Sequence, residues 1–322
     1  MIGKLDEGTT MGFLTRRWIE DPGSLTEVYT EFFPKAYTEK QSWIDEIVEK
    51  AKLEMKNHSD DGTKFQLPEF DRYSKTLQAI KAGATGWKAL EIIYNFETDR
   101  CKDPLAKFWV NMRNAQAVRN RFRFAKFLLR KAFIQQANNT GKGSPSNPLF
   151  LLSLAAGSAQ AVLETVSEVR EDSDLHVNVV LIDSDMSVRS MIRKRIKNLG
   201  LSGRVKFVVG SAFKFGEVIR DLPPPDIVEM LGLLDYLNNK LAVRLCRRIY
   251  KQIATGGNFL TCHIHPNPEQ DFLRFVINWG HNPYMFYRTI DELKKIALDA
   301  GFETVQTHTE PHCIHSIAVC TK

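Results

Sequence analysis

The 322-residue chain has few cysteines, no long apolar run and little glycine where a nucleotide loop would use it. Its 5 cysteines, Cys101, Cys246, Cys262, Cys313 and Cys320, are dispersed without a CxxC spacing. An odd, scattered set excludes a disulfide framework and points to reduced thiols in a reducing compartment. No run approaches the roughly 18 apolar residues of a bilayer span, so no membrane association is expected. The opening MIGKLDEGTT is too polar for a secretory leader, which makes the cytoplasm the expected location. There are no internal repeats and no low-complexity tracts.

Acidic residues are nearly missing from one stretch. Residues 101–150 hold 10 Lys+Arg against 1 Asp+Glu, whereas the chain as a whole carries a net charge of only +6. The basic character is therefore local, which argues against a nucleic-acid partner inferred from pI alone.

Two patterns follow one another along the chain. Residues 24–57 carry helix formers with apolar spacing, and a second helical stretch from about Tyr73 holds Leu77, Ile80, Trp87, Leu90 and Ile93. Asp103-Pro104 reads as an N-cap followed by proline in the first turn of a helix running to about Gln136. Its apolar stripe is Val118, Phe122, Ala125, Leu129 and Phe133. Residues 138–148 have linker composition. Beyond them, short apolar runs at 149–154, 177–182, 205–209, 226–230 and 257–263 alternate with helical stretches. Continuous rather than alternating apolarity marks buried parallel strands, and strand–helix alternation implies a doubly wound sheet. The expected organisation is a helical region over 1–137, a linker over 138–148 and an α/β domain over 149–322.

The first of these strands opens into Leu154-Ala155-Ala156-Gly157-Ser158-Ala159 and a helix. Small residues there let the backbone approach a ligand, and the helix N-terminus favours anions. The second strand ends at Asp183, 26 residues beyond Gly157. An acid there is placed to bind ribose hydroxyls, about 20 residues being the usual separation. Alternatively, Asp183 caps the following helix. The third strand leads to Ser211 and Ala212, and the fourth to Gly232, Asp235 and Tyr236.

The order LSLAAGSA, VVLIDSD, RVKFVVGSAF, DIVEMLGLLDYL, TGGNFLTCHI resembles class I S-adenosylmethionine (SAM)-dependent methyltransferases. So does the ending, where an Ala300-Gly301-Phe302 turn precedes two strands. The resemblance covers about 149–322. It implies a Rossmann-like doubly wound sheet with a C-terminal antiparallel hairpin, preceded by a mostly helical N-terminal region. It implies SAM as cofactor, with Ser153, Ala155 and Gly157 cradling it. Asp183 and Met186 would hold ribose and adenine, Ser211 and Ala212 the adenine edge, and Gly232 the methionine side. Four positions depart from the family pattern: Ser153 stands where an acid is usual, Ala155 and Ala159 replace glycines, and Ser211 replaces a common Asp. A more distant likeness is to a bacterial methyltransferase-like family sometimes fused to an α/β-hydrolase. It rests on His265-Pro266-x-x-Glu269, Tyr287-Arg288-Thr289 and the glycine turn.

Methyl transfer is an in-line displacement, so the protein supplies positioning and, for a hydroxyl acceptor, a base. His265, after the fifth strand, is the first candidate, because imidazole titrates near neutrality. Asp235 and Tyr236 are the second. Neither His263 with His265 nor the group His308, His312, Cys313 and His315 has a recognised metal spacing, so no metal is expected. Arg119, Arg123, Lys126 and Arg130 share one helix face, which reads as solvated, as a contact to an anionic substrate or to the SAM carboxylate, or as an RNA surface. The leading expectation is methylation of a small molecule, on oxygen or nitrogen, beneath the helical region. An RNA methyltransferase using helix 113–131 and a binding protein without turnover are the alternatives. A homodimer is compatible with the apolar helices.

Overall fold

A computed structural model describes residues 74–97, 100–275, 277–280 and 284–322. It also describes the backbone of two strands near the N-terminus and single helical positions between 46 and 53. Strands β1 (Thr15–Ile19) and β2 (Glu27–Glu31) pair antiparallel, Thr15 opposite Glu31. The helix expected over 24–57 is therefore replaced by a strand at its start, where Val28, Tyr29 and Thr30 favour extended backbone. Most of the remainder of that stretch lies outside the described residues.

Helices α1 (Lys75–Ala82), α2 (Trp87–Tyr94) and α3 (Pro104–Val110) form a small cap with its own core of Leu77, Ile80, Leu105 and Trp109. Asp103 caps α3, its carboxylate accepting from Leu105 N at 3.0 Å and Ala106 N at 3.1 Å, with proline in the first turn as expected. The single long helix expected from there is broken at Asn111-Met112. The next helix, α4 (Arg113–Thr140), begins on a carboxylate brought from far along the chain. Glu269 accepts from Arg113 N at 3.2 Å and Asn114 N at 2.9 Å. Arg119 closes the other side of the break, donating to Val110 O at 2.6 Å. Arg113 N, Asn114 N and Val110 O at the interruption thus find charged partners, and Asn111 O accepts from the Gln116 amide.

The central sheet combines β3 (Leu149–Leu154), β4 (Val177–Asp183), β5 (Val205–Val209), β6 (Ile227–Met230), β7 (Asn258–Ile264), β8 (Thr304–Thr309) and β9 (His315–Thr321). Its order is β5-β4-β3-β6-β7-β9-β8, with β9 antiparallel to both neighbours and every other pairing parallel. This is the Rossmann-like sheet with a C-terminal hairpin. The connecting helices are α5 (Gln160–Ser173), α6 (Arg189–Asn198), the short α7 (Phe215–Val218), α8 (Asn239–Gln252), α9 (Gln270–Phe275) and α10 (Ile290–Ala300).

β3 is buried along its whole length because helices cover both faces. On one face Phe124, Leu128, Leu129 and Phe133 of α4 pack with Leu149, Leu151 and Val162. Helix α4, although it precedes the expected linker, thus shares the core of the sheet. On the other face Leu245 and Ile249 of α8 meet Leu293 and Ile296 of α10. Gly301 turns α10 into β8 with φ +115, and a Cβ there would lie 3.1 Å from the Tyr250 ring. Glycine is required both by the left-handed conformation and by that contact.

Candidate active site

The carboxyl ends of β3, β4 and β6 open into a cavity of about 410 Å³, roofed by α1–α3 and by the segment that follows α9. Ligands in open α/β sheets bind at this edge, where the strand order reverses. Its wall includes Ala155, Gly157 and Asp183 at one end and Tyr236, Phe272 and Trp279 at the other.

The loop after β3 has a repeated backbone conformation. Ala155, Gly157 and Ala159 have φ of +52, +51 and +52. The two alanines that replace family glycines therefore keep the left-handed conformation glycine would take, at a cost of roughly 1–2 kcal/mol for each L-residue. Asp183 closes on this loop: its carboxylate accepts from Gly157 N at 2.7 Å and from Asp185 N at 2.8 Å. The cap of the following helical turn is Asp185, which accepts from Ser187 N at 2.8 Å. The capping alternative for Asp183 is thereby overturned.

Ser153 is fully buried beneath the loop. Its hydroxyl donates to Glu229 Oε2 at 2.5 Å, the two residues being register partners on β3 and β6. The acid missing from position 153 is thus present at the same level of the sheet, one strand over. Burial pushes the Glu229 carboxyl up to about 7, against the opposing hydrogen bonds from Ser153 and Leu231 N and the charge of Arg121.

Asp235 and Tyr236 both line the cavity. Asp235 Oδ1 stands 2.7 Å from His263 Nδ1 and accepts from Ile264 N at 3.0 Å. Burial alone would raise this carboxyl, but attraction to His263, and beyond it to His315 and Arg121, holds it down at about 2. The Tyr236 hydroxyl accepts from Trp279 Nε1 at 3.0 Å, and burial together with the Asp235 charge raises its pKa.

His265 does not reach the cavity. Its Nδ1 lies 2.5 Å from Arg288 O, a carbonyl that can only accept, so Nδ1 carries the proton. Its Nε2 then accepts from Ser316 Oγ at 2.7 Å. With both nitrogens committed the ring joins β7, β9 and the Arg288 strand, and the expectation of a base at 265 is corrected. Met186, Ser211 and Ala212 also lie beyond the cavity wall. Met186 is 63% exposed, and Ser211 caps the turn at Ala212 by accepting from Phe213 N at 3.2 Å. Gly232 is on the wall with φ +88.

Two cavity residues were absent from the sequence-based candidates. Arg121 is buried on α4, donating to the Tyr94 hydroxyl at 3.3 Å, and His315 enters from β9. The basic face expected of α4 is meanwhile largely paired within the fold. Lys126 pairs with Glu164 at 2.7 Å and Glu168 at 2.6 Å, and Arg130 with Asp172 at 2.8 Å. Arg119 serves the helix break. Three of the four cations thus pair with α5 or α3, while Arg123 donates to Asn120 Oδ1 at 3.4 Å within α4. Among the described residues no group of three metal-ligating side chains assembles, and no helix is long and apolar enough to cross a membrane.

Residues 36–322 match the model of the family described as "Putative methyltransferase". The chain belongs to this family. No curated protein matches it. Among solved structures, a possible exported protein from Bordetella parapertussis is similar with a TM-score of 0.63 and 14% identity, covering 88% of this chain and 96% of its own. An O-methyltransferase family protein from Burkholderia thailandensis scores 0.44 at 18% identity, covering 65% and 61%. Human N-acetylserotonin methyltransferase in complex with SAM scores 0.42 at 14% identity, covering 63% and 56%. At 14% identity the likeness to the Bordetella parapertussis structure is one of fold.

Three polar links seat the cap of this methyltransferase on its sheet domain. Trp87 Nε1 donates to Asp185 at 3.0 Å, Arg195 pairs with Glu91 at 2.9 Å, and Asn95 and Gln160 exchange amide hydrogen bonds at 3.1 and 3.0 Å. Helix α2 thereby sits above the tip of β4, where sequence periodicity gave no docking partner.

Proposed function

We propose that the protein transfers a methyl group from SAM to a small-molecule acceptor, on oxygen or nitrogen, in the cavity between its cap and its sheet. One observation carries the reading: a single space joins a nucleotide-type sheet edge to an aromatic chamber. Its volume is within the roughly 300–1,000 Å³ of small-ligand sites.

The residues present fit SAM. Small side chains at 155, 157 and 159 leave the loop backbone open to close approach. Asp183, pinned by two backbone donors, keeps further lone pairs for ribose hydroxyls. Met186, Ser211 and Ala212, on the same sheet edge, are assigned to adenine by position. Glu229, beneath the loop, replaces the acid expected at 153 as the buried charge nearest the cradle. When bound, SAM supplies a methyl group on a positively charged sulfur.

The protein's part is placement. Tyr236 keeps its proton, because burial raises its pKa, and can donate it in a hydrogen bond to an acceptor oxygen. Asp235 stays ionised through its pairing with His263 and fixes the turn that carries Tyr236. The cap excludes water, which strengthens each of these contacts.

Calorimetric titration of the full chain with SAM and with S-adenosylhomocysteine tests the reading. The expected result is micromolar binding of both, weakened at least tenfold in Asp183→Ala, a loss of more than about 1.4 kcal/mol. Absence of binding by folded protein refutes it.

A further inference from the structure

The cavity wall is apolar and aromatic over most of its extent, yet it contains a buried cation. Arg121 is 7% exposed and stands on α4 between Val118, which packs with the cap core, and Ala125, which packs on the sheet. Its polar partners are the Tyr94 hydroxyl at 3.3 Å and the Cys262 thiol at 3.8 Å, neither of which is a carboxylate. Among the described residues no carboxylate lies within ion-pair distance of it. Asp235 is committed to His263 and Ile264 N, and Glu229 to Ser153 and Leu231 N. Beside it on the wall His315 is 4% exposed, with Nδ1 buried and unpartnered. Gly232 leaves the approach open, since even a Cβ there would stop 4.0 Å from Arg121 Nη1.

Asp235 and Glu229 attract this guanidinium only from beyond ion-pair distance, and a buried ion is well repaid only by a directly hydrogen-bonded partner. The guanidinium's fork of donors matches a carboxylate. We propose that Arg121, flanked by His315, is a carboxylate-binding subsite, and that the ion pair missing from the free protein is completed by ligand. The carboxylate belongs either to the amino-acid end of the cofactor or to the methyl acceptor. The aromatic wall requires an acceptor of the second kind to be an aromatic or aliphatic acid. This inference rests on the methyltransferase reading for its ligands, but the charge argument stands apart from it.

The experiment is calorimetry on wild type, Arg121→Met and Arg121→Lys with four probes. S-adenosylhomocysteine and 5′-methylthioadenosine differ in the amino-acid end. 4-Hydroxybenzoate and 4-hydroxybenzamide differ in the carboxylate, and are titrated into free and S-adenosylhomocysteine-saturated protein. If the cofactor's carboxylate is held, Arg121→Met weakens S-adenosylhomocysteine about tenfold or more and leaves methylthioadenosine unchanged. If the acceptor's is held, wild type prefers the benzoate to the amide and Arg121→Met loses that preference while keeping S-adenosylhomocysteine affinity. Arg121→Lys retains part of either effect and serves as the readout should the Met variant not fold. The proposal is overturned if wild type shows no preference for the benzoate and substitution leaves S-adenosylhomocysteine affinity unaltered. Failure of wild type to bind either adenosine compound sinks the methyltransferase reading instead. The benzoate–amide comparison on free protein then still decides the subsite.

Discussion

Replacing Glu229 by glutamine tests the account of the loop floor through pH. The carboxyl is buried and its pKa rises from 4.5 to about 7 in the folded protein. Between those values the native state binds more protons than the unfolded chain, so stability falls as pH rises. A shift of about 2.5 units corresponds to a loss of about 3 kcal/mol between pH 4.5 and pH 7. Glutamine keeps an acceptor for Leu231 N and a partner for the Ser153 hydroxyl but has no proton to lose. The buried imidazoles of His265 and His315, whose pKa values burial lowers, act in the opposite sense as pH falls below about 6.5. They are common to both proteins and cancel in the difference. Urea denaturation followed by circular dichroism at pH 4.5 and pH 8 supplies that difference. Glu229→Gln is expected to gain about 3 kcal/mol on wild type between the two conditions. A gap between variant and wild type that is the same at both pH values refutes the placement of a buried, ionisable Glu229.

Two further predictions follow from the same site. Ala155→Gly and Ala159→Gly each relieve a left-handed alanine and are expected to stabilise by about 1 kcal/mol in thermal unfolding. Unchanged or lowered stability contradicts the backbone conformation described for the loop. His265→Asn strips partners from Arg288 O and Ser316 Oγ and is expected to cost about 1–3 kcal/mol of stability. S-adenosylhomocysteine affinity is expected to stay within twofold of wild type. A variant of full stability that has lost turnover would restore His265 to the chemistry.

Much of the sheet was legible because its strands are buried on both faces and so read as unbroken apolar runs. Asp183 and Gly157 were legible because strand tips and tight loops restrict residue type. Glu229 was not singled out, although an acid inside Ile227–Met230 is a visible anomaly; its meaning depends on the neighbour across β3, which spacing along the chain does not show. Arg121 was hidden by its company. Arg119, Arg123, Lys126 and Arg130 share a helix face and drew attention, whereas Arg121 lies toward the apolar stripe. The break at Asn111-Met112 depends on Glu269, 155 residues beyond Asn114, and no local rule anticipates it. His265 was chosen for its loop position and its imidazole, while His315 was weighed only as a metal ligand. Which ring reaches a cavity depends on the strand register, and only the fold settles that.

The three links between α2 and the sheet domain bear on how fast a ligand can come and go. The cavity lies under a roof whose helix α2 is held by Trp87, Glu91 and Asn95, so parting of those contacts would widen its mouth. Each is polar and partly screened by water, and together they amount to a latch of a few kcal/mol, on the order of 1 kcal/mol per link. A latch of that strength opens often but not freely. Lids that part on this scale gate the release of product in other enzymes.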